Sequence, residues 1–125
     1  MTTILDTSSL IRFFTKDILE KAVKVKKLLE TEEHILIPDV VFPELEYVLS
    51  NEYEVSRKNL LHMFQFLASQ KNIQVSGSIK KAIELFGETN LDMADCLIAA
   101  TSLKGKLASF DKKLLQVNGV TPFFS

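Results

Sequence analysis

Apolar residues recur at helical spacing along most of this chain, and short extended runs separate the helical stretches. Over residues 17–31, Ile18, Leu19, Ala22, Val25, Leu28 and Leu29 fall three or four apart, which predicts an amphipathic helix. A helix over 40–51 follows. It has Asp39 as its expected cap and Pro43 near its start, where a missing backbone N–H matters least. Residues 56–69 carry Leu60, Leu61, Phe64 and Leu67 on one face, and 78–88 and 91–104 read as further helices, the last ending at Gly105. Between these lie runs with strand character at 2–5, 34–37, 73–75 and 107–110, with an edge strand at 121–124. The first run feeds Asp6-Thr7-Ser8-Ser9, a turn rich in helix-capping residues.

Alternating strands and helices predict an α/β fold with three layers and a mainly parallel central sheet. In such sheets binding sites form beyond the carboxyl ends of the strands. Asp6 and Asp111 both fall just past an expected strand.

The chain has 125 residues, which predicts a single domain over 1–125 with room for a core. Hydrophobic residues make up 46% and charged residues 25%, so disorder is not expected. The first residues carry no charged leader region, and no apolar run reaches the ~18–20 residues of a membrane span, so neither a signal peptide nor a membrane helix is expected. The lone Cys96 leaves no internal disulfide framework and fits a reducing cytoplasm. The net charge of −1, from 15 basic and 16 acidic residues, is unlike that of a protein that coats nucleic acid by bulk charge. Basic residues do cluster at Arg12 and Lys16 and at Lys104, Lys106, Lys112 and Lys113, most of them expected on a solvated surface.

The informative residues are acidic. Asp6, Glu44, Asp95 and Asp111 sit at turns or on apparently apolar helix faces, as though aimed at the core. Burying even a neutral polar group unpaired costs roughly 2–7 kcal/mol, so a buried carboxylate cluster calls for a cation. Oxygen-only donors suit a hard divalent ion such as Mg²⁺ or Mn²⁺, and such ions can polarise a phosphodiester and activate water. Each acid also has a plainer reading. Asp6 can cap a helix, Asp111 can cap a short terminal helix, and Asp92 can favour the first turn of the helix that carries Asp95. Ser8 beside Asp6 and Ser109 before Asp111 fit as supporting donors.

Other chemistry is thin. His34 and His62 lack partners at zinc-like spacing, Cys96 reads as a small buried residue, and with only 4 glycines no phosphate-cradling loop is present. A signalling receiver domain shares the length and alternation, but it needs paired acids after the first strand and an aspartate closing the middle strand. Asp6-Thr7-Ser8 offers no such pair, and no middle aspartate is found.

Four segments together resemble the PIN-domain ribonucleases, in particular the small toxins of VapBC toxin–antitoxin pairs. Residues 4–11 (ILDTSSLI) are similar to the opening strand and first aspartate of that family, and 37–45 (IPDVVFPEL) to the segment carrying its glutamate. Residues 91–100 (LDMADCLIAA) supply the third acid as Asp95, and 107–114 (LASFDKKL) the fourth as Asp111, with Ser109 where the family often has threonine. Pro43 directly before Glu44 is a departure from the usual pattern. The resemblance implies a PIN-like α/β/α sandwich and endonucleolytic RNA cleavage with Mg²⁺ or Mn²⁺ held by Asp6, Glu44, Asp95 and Asp111. It also implies a small VapB-like antitoxin and a homodimer in the cytoplasm. A catalytically silent PIN-like binding module is the alternative, and the complete set of acids argues against it.

Overall fold

Three short parallel strands, β1 (Thr3–Ile4), β2 (Ile35–Leu36) and β3 (Ile73–Gln74), form a sheet in the order β1-β2-β3 in the computed structural model, which describes residues 1–124. The ladder extends past the named strands: Thr3 and Leu5 donate to the His34 and Leu36 carbonyls at 2.8 and 3.0 Å, and Ile35 and Ile37 to those of Asn72 and Gln74 at 2.8 and 3.2 Å. Parallel strands require crossovers. The first comprises α1 (Thr7–Thr15) and α2 (Leu19–Thr31), the second α3 (Val41–Glu52) and α4 (Arg57–Ser69). These elements belong to the first of two compact units, Met1–Ser76, and the second unit is Gly77–Ser125. The α/β class expected from the alternation is therefore the class observed.

The core of the first unit follows from the apolar periodicity. Leu5, Ile35, Ile37, Ile73 and Val75 are buried along the sheet, with Phe42, Leu45 and Leu49 of α3 and Leu60, Phe64 and Leu67 of α4. The rings of Phe42 and Phe64 meet edge-on, with centroids 5.6 Å apart. Each such side chain contributes about 1.5–3 kcal/mol by leaving water. Pro43 is the third residue of α3, within the turn whose N–H groups have no helical partner, so it costs the helix nothing. Asp39 does not cap α3 with its side chain; the helix starts at Val40 without a side-chain cap, and Phe42 donates to the Asp39 backbone carbonyl instead.

Helix α1 departs from expectation: residues 6–9 have the composition of a turn, yet the helix begins at Thr7. Leu10, Phe13 and Phe14 supply the apolar spacing of a helix, but only Leu10 is fully buried. The helix ends at Lys16, whose left-handed backbone (φ 56°) turns its N–H back to the Arg12 carbonyl. The junction into α2 is then held by one carboxylate. Asp17 accepts from Arg12 at 2.7 Å, from the Thr15 hydroxyl at 2.9 Å and from the Tyr53 hydroxyl beyond α3 at 2.9 Å. At the other end of α2, the Asn72 side-chain amide donates to the Leu29 and Glu32 carbonyls at 2.9 and 2.8 Å, satisfying groups that the helix terminus leaves open.

In the second unit, α5 (Gly77–Glu88) packs on α6 (Met93–Ser102) through Ile79, Ala82, Ile83 and Phe86 and through Met93, Cys96 and Ala99, all buried. Helix α7 (Lys112–Leu115) adds buried Leu114. The strands expected at 107–110 and 121–124 reduce to one isolated parallel bridge between Leu107 and Pro122. Pro122 has no N–H to extend a ladder. Gly105 does not end α6 in a left-handed conformation; among the described glycines only Gly119 (φ 92°) takes that region.

The Tyr53 hydroxyl, followed by Thr15 and Arg12, holds the Asp17 carboxyl down to about 2. A carboxyl depressed in the folded state stabilises the fold above its unfolded value, near 4, and loses that contribution as pH falls towards 2. The stability gap between the wild type and Asp17→Asn, measured by urea unfolding, should thus be constant above about pH 5 and close between about pH 4 and 2. A gap independent of pH would disprove the clamp.

Candidate metal-binding carboxylates

The same device places three of the expected acids. The first N–H groups of a helix have no partner within it, and an aspartate at the N-cap accepts from one of them. Asp6 Oδ1 accepts from the Ser9 N–H at 3.0 Å and starts α1 where β1 ends. Asp92 Oδ1 accepts from the Asp95 N–H at 2.8 Å and starts α6. Asp111 Oδ1 accepts from the N–H groups of Lys113 and Leu114 at 2.9 and 3.4 Å and starts α7. These cap bonds use Oδ1 in every case. The capping role is therefore real, and it leaves much of each carboxylate open to a ligand.

In the first unit, Ser8 supports Asp6 as expected, its hydroxyl donating to both carboxylate oxygens at 3.0 and 3.1 Å. The Ser9 N–H, followed by Ser8, holds the Asp6 carboxyl below the usual carboxylate value despite some burial. Glu44 is exposed, contrary to an apolar-face placement. Its helical neighbours Val40 and Tyr47 are exposed too, because α3 buries the face formed by Val41, Phe42, Leu45 and Leu49. Glu44 is nevertheless fixed: the Thr7 hydroxyl donates to its Oε1 at 2.5 Å, joining α1 to α3. From the sequence Thr7 is only a capping residue, and nothing local announces a bond across 37 positions.

In the second unit, Asp95 is half-buried in the first turn of α6. Burial raises its carboxyl above the ordinary value, and the charges of Asp92 and Asp111 raise it further. The helix N-terminus favours a negative charge by about 0.3–1 kcal/mol, so burial and repulsion outweigh that attraction here. Ser109 does not donate to a carboxylate; its hydroxyl accepts from the Asp111 N–H at 3.0 Å and sets the turn that presents Asp111. Cys96 is buried as expected, while His34 and His62 lie on the surface.

None of Asp6, Glu44, Asp92, Asp95 and Asp111 forms an ion pair with a basic residue among the described residues, although lysines elsewhere pair with Glu20 and Glu84. Oxygen donors in surplus of positive charge fit a hard divalent cation in kind. No three of the His, Cys, Asp and Glu side chains among the described residues stand close enough, as placed, to enclose an ion. The core expectation also needs correction, since no polar or charged residue is fully buried among the described residues. Exposure at helix starts spares these acids the cost of complete desolvation.

Beside Ser8 runs a groove of about 380 Å³ lined by Ser8, Ser9, Arg12, Lys21, Lys24, Val25 and Leu28. Its lining contains cations and no acid. Lys21 and Lys24 fall three apart on α2, a spacing visible in the sequence but outside the basic clusters it singles out.

The PIN domain family matches residues 3–120, and the chain belongs to it. Three parallel strands and seven helices among the described residues are consistent with the family's α/β/α sandwich. PIN domains are generally nucleases that act on RNA and usually use divalent metals. No helix among the described residues is long and apolar enough to cross a membrane. Comparison with curated proteins returns no match, and comparison with solved structures returns none.

A carboxyl raised in the folded state favours folding below its unfolded value and opposes it as pH rises through the folded one. In EDTA at neutral pH, Asp95→Asn should therefore unfold at a higher urea midpoint than the wild type. The difference should shrink in acid, where wild-type Asp95 is itself neutral. A variant less stable than the wild type at pH 7 would show that the acids do not strain one another.

Proposed function

We propose that this PIN domain is a metal-dependent endoribonuclease that hydrolyses RNA phosphodiester bonds, and that it serves as the toxin of a VapBC-like toxin–antitoxin pair. The observation that carries this reading is the set of carboxylates without basic partners, with Asp95 raised by burial and by Asp92 and Asp111. Burial and the repulsion of Asp95 by Asp92 and Asp111 oppose its ionised form, and a bound cation would relieve both. Asp6, Glu44, Asp95 and Asp111 would hold Mg²⁺ or Mn²⁺. The chemistry such an ion supplies when bound is charge stabilisation at the phosphate and a lowered pKa for water.

The remaining roles belong to the chain itself. Ser8 keeps both Asp6 oxygens oriented, Thr7 fixes Glu44, and Ser109 holds the turn that presents Asp111. Asp92 orients the first turn of α6 by accepting the Asp95 N–H, and its charge adds to the local negative potential. Arg12, Lys21 and Lys24 line a groove suited to backbone phosphates flanking the cut; phosphate there would compete with Asp17 for Arg12 and with Glu20, 3.6 Å away, for Lys24.

A small VapB-like antitoxin would oppose this activity. The exposed Val40 and Tyr47, on either side of Glu44 along α3, offer it an apolar approach to the acids. A cytoplasmic homodimer is the assembly this reading favours.

Purified protein incubated with single-stranded and structured RNA should cut in Mg²⁺ or Mn²⁺ and not in EDTA. Asp6→Asn and Asp95→Asn should each lower cleavage by at least about a hundredfold, the scale of removing one electrostatic stabiliser. Undiminished cleavage by either variant would refute the site, and metal binding without cleavage by the wild type would favour a binding module. The double variant Lys21→Ala/Lys24→Ala should bind RNA more weakly, with a salt dependence shallower by about 1.4 in log–log slope, or roughly 0.7 per lost phosphate contact. An unchanged slope would remove the groove from the RNA path.

A further inference from the structure

Directly before Asp111 stands the most exposed aromatic residue of the chain. Phe110 is 86% exposed, and its ring lies parallel to that of Phe124, with centroids 4.8 Å apart and planes inclined by 6°. Phe123 closes the cluster edge-on against Phe124, with centroids 5.4 Å apart. The cluster is anchored by backbone pairing: Leu107 donates to the Thr121 carbonyl at 2.8 Å, and Phe123 donates to the Leu107 carbonyl at 2.9 Å. On the other side of Phe110, the bond from the Asp111 N–H to the Ser109 hydroxyl fixes the turn. The ring is thus held at a set position with one face stacked and the rest open to water. Left in water, the ring forgoes the roughly 1.5–3 kcal/mol that full burial would supply, and its open face stays available to a ligand.

We infer that Phe110, stacked on Phe124, is a platform on which an unpaired base of the RNA stacks beside the scissile phosphate. This inference rests on the nuclease reading and names what the second unit recognises. A flat ring with a free face takes any nucleobase, whichever its edge, and single-stranded RNA exposes such faces where a duplex hides them. The flanking charge agrees with a polyanion. Between residues 104 and 124 the only acid is Asp111, against Lys104, Lys106, Lys112 and Lys113, all exposed. A protein partner fits less well, because a stable interface buries about 800 Å² on each side and this cluster amounts to a few rings among lysines. Stacking beside Asp111 would hold the neighbouring phosphate in register with that carboxylate, giving preference for unpaired RNA without preference for sequence.

The chain contains no tryptophan, so Phe110→Trp introduces a single reporter. In the full-length Asp95→Asn background, where cleavage is suppressed, that tryptophan should be quenched by an oligouridylate or oligoadenylate. An abasic phosphodiester oligomer of equal length should quench it much less. Phe110→Ala should weaken binding of the base-bearing oligomer roughly 5- to 150-fold, with little effect on the abasic one, while Phe110→Tyr retains tight binding. Equal quenching by both oligomers would reduce the contact to phosphate attraction and overturn the inference. Bound RNA that leaves the fluorescence unchanged, or quenching by duplex as strong as by single strand, would overturn it as well. If the wild type cleaves RNA with metal and the stacking results fail, only the platform falls; if the wild type does not cleave, the nuclease reading falls on its own assay.

Discussion

Every helix must find acceptors for N–H groups that its own hydrogen bonding cannot reach, and this requirement shapes the chemistry of the chain. Where α1, α6 and α7 begin, the acceptor is an aspartate. A serine or threonine would satisfy the same N–H groups without charge. Using aspartate fixes a carboxylate rigidly at the start of an element and leaves acceptor capacity on Oδ2, which at Asp6 is shared with the Ser8 hydroxyl. Capping and ligand binding are therefore not rival explanations of Asp6, Asp92 and Asp111. The cap holds the side chain still, and stillness is what a preorganised site needs.

Glu44 and Asp95 complete the pattern by other means. Glu44 is exposed on α3 and would sample several rotamers, but the Thr7 hydroxyl restrains it. Asp95 has its backbone tied to Asp92, and its carboxyl raised by burial and by neighbouring charge. Asp17, by contrast, pairs with Arg12. The contrast between these two aspartates in one chain is the physical basis on which the proposed site sets Asp95 apart from Asp17. Asp17 is lowered by its partners and Asp95 raised by its surroundings.

The elements whose apolar face is buried were legible in the sequence. Helices α2, α4 and α5 run close to their expected bounds, because Val25, Phe64 and Ile83 recur at helical spacing and are buried. The strands at the sheet were legible too, since Leu5, Ile35, Ile37 and Ile73 must leave water. What failed was decided by tertiary contact. Helix α1 hid behind Thr7-Ser8-Ser9, whose capping character suits a turn as well as a helix start. The run at 107–110 looked like a strand, yet its single bridge leaves Phe110 facing water. Glu44 was assigned to an apolar face by its neighbours' chemistry. Exposed Val40 and Tyr47 show that an apolar neighbour is not necessarily a buried one.

The same limit applies to net charge. A total of −1 argues against an RNA-binding protein only if charge is spread evenly. Here the lining of the α1–α2 groove is cationic, residues 104–124 carry Asp111 among lysines, and the acids gather at helix starts. A polyanion approaching the basic surfaces is attracted wherever it does not face a carboxylate, and it can face the carboxylates only when cations lie between. If the acids act as proposed, segregated charge would make divalent metal a condition of productive RNA contact as well as of the chemistry. On the proposed reading such an arrangement would keep the protein from holding nucleic acid idly, because the surfaces that attract the backbone and the acids proposed to act on it would be reconciled only by the same ion.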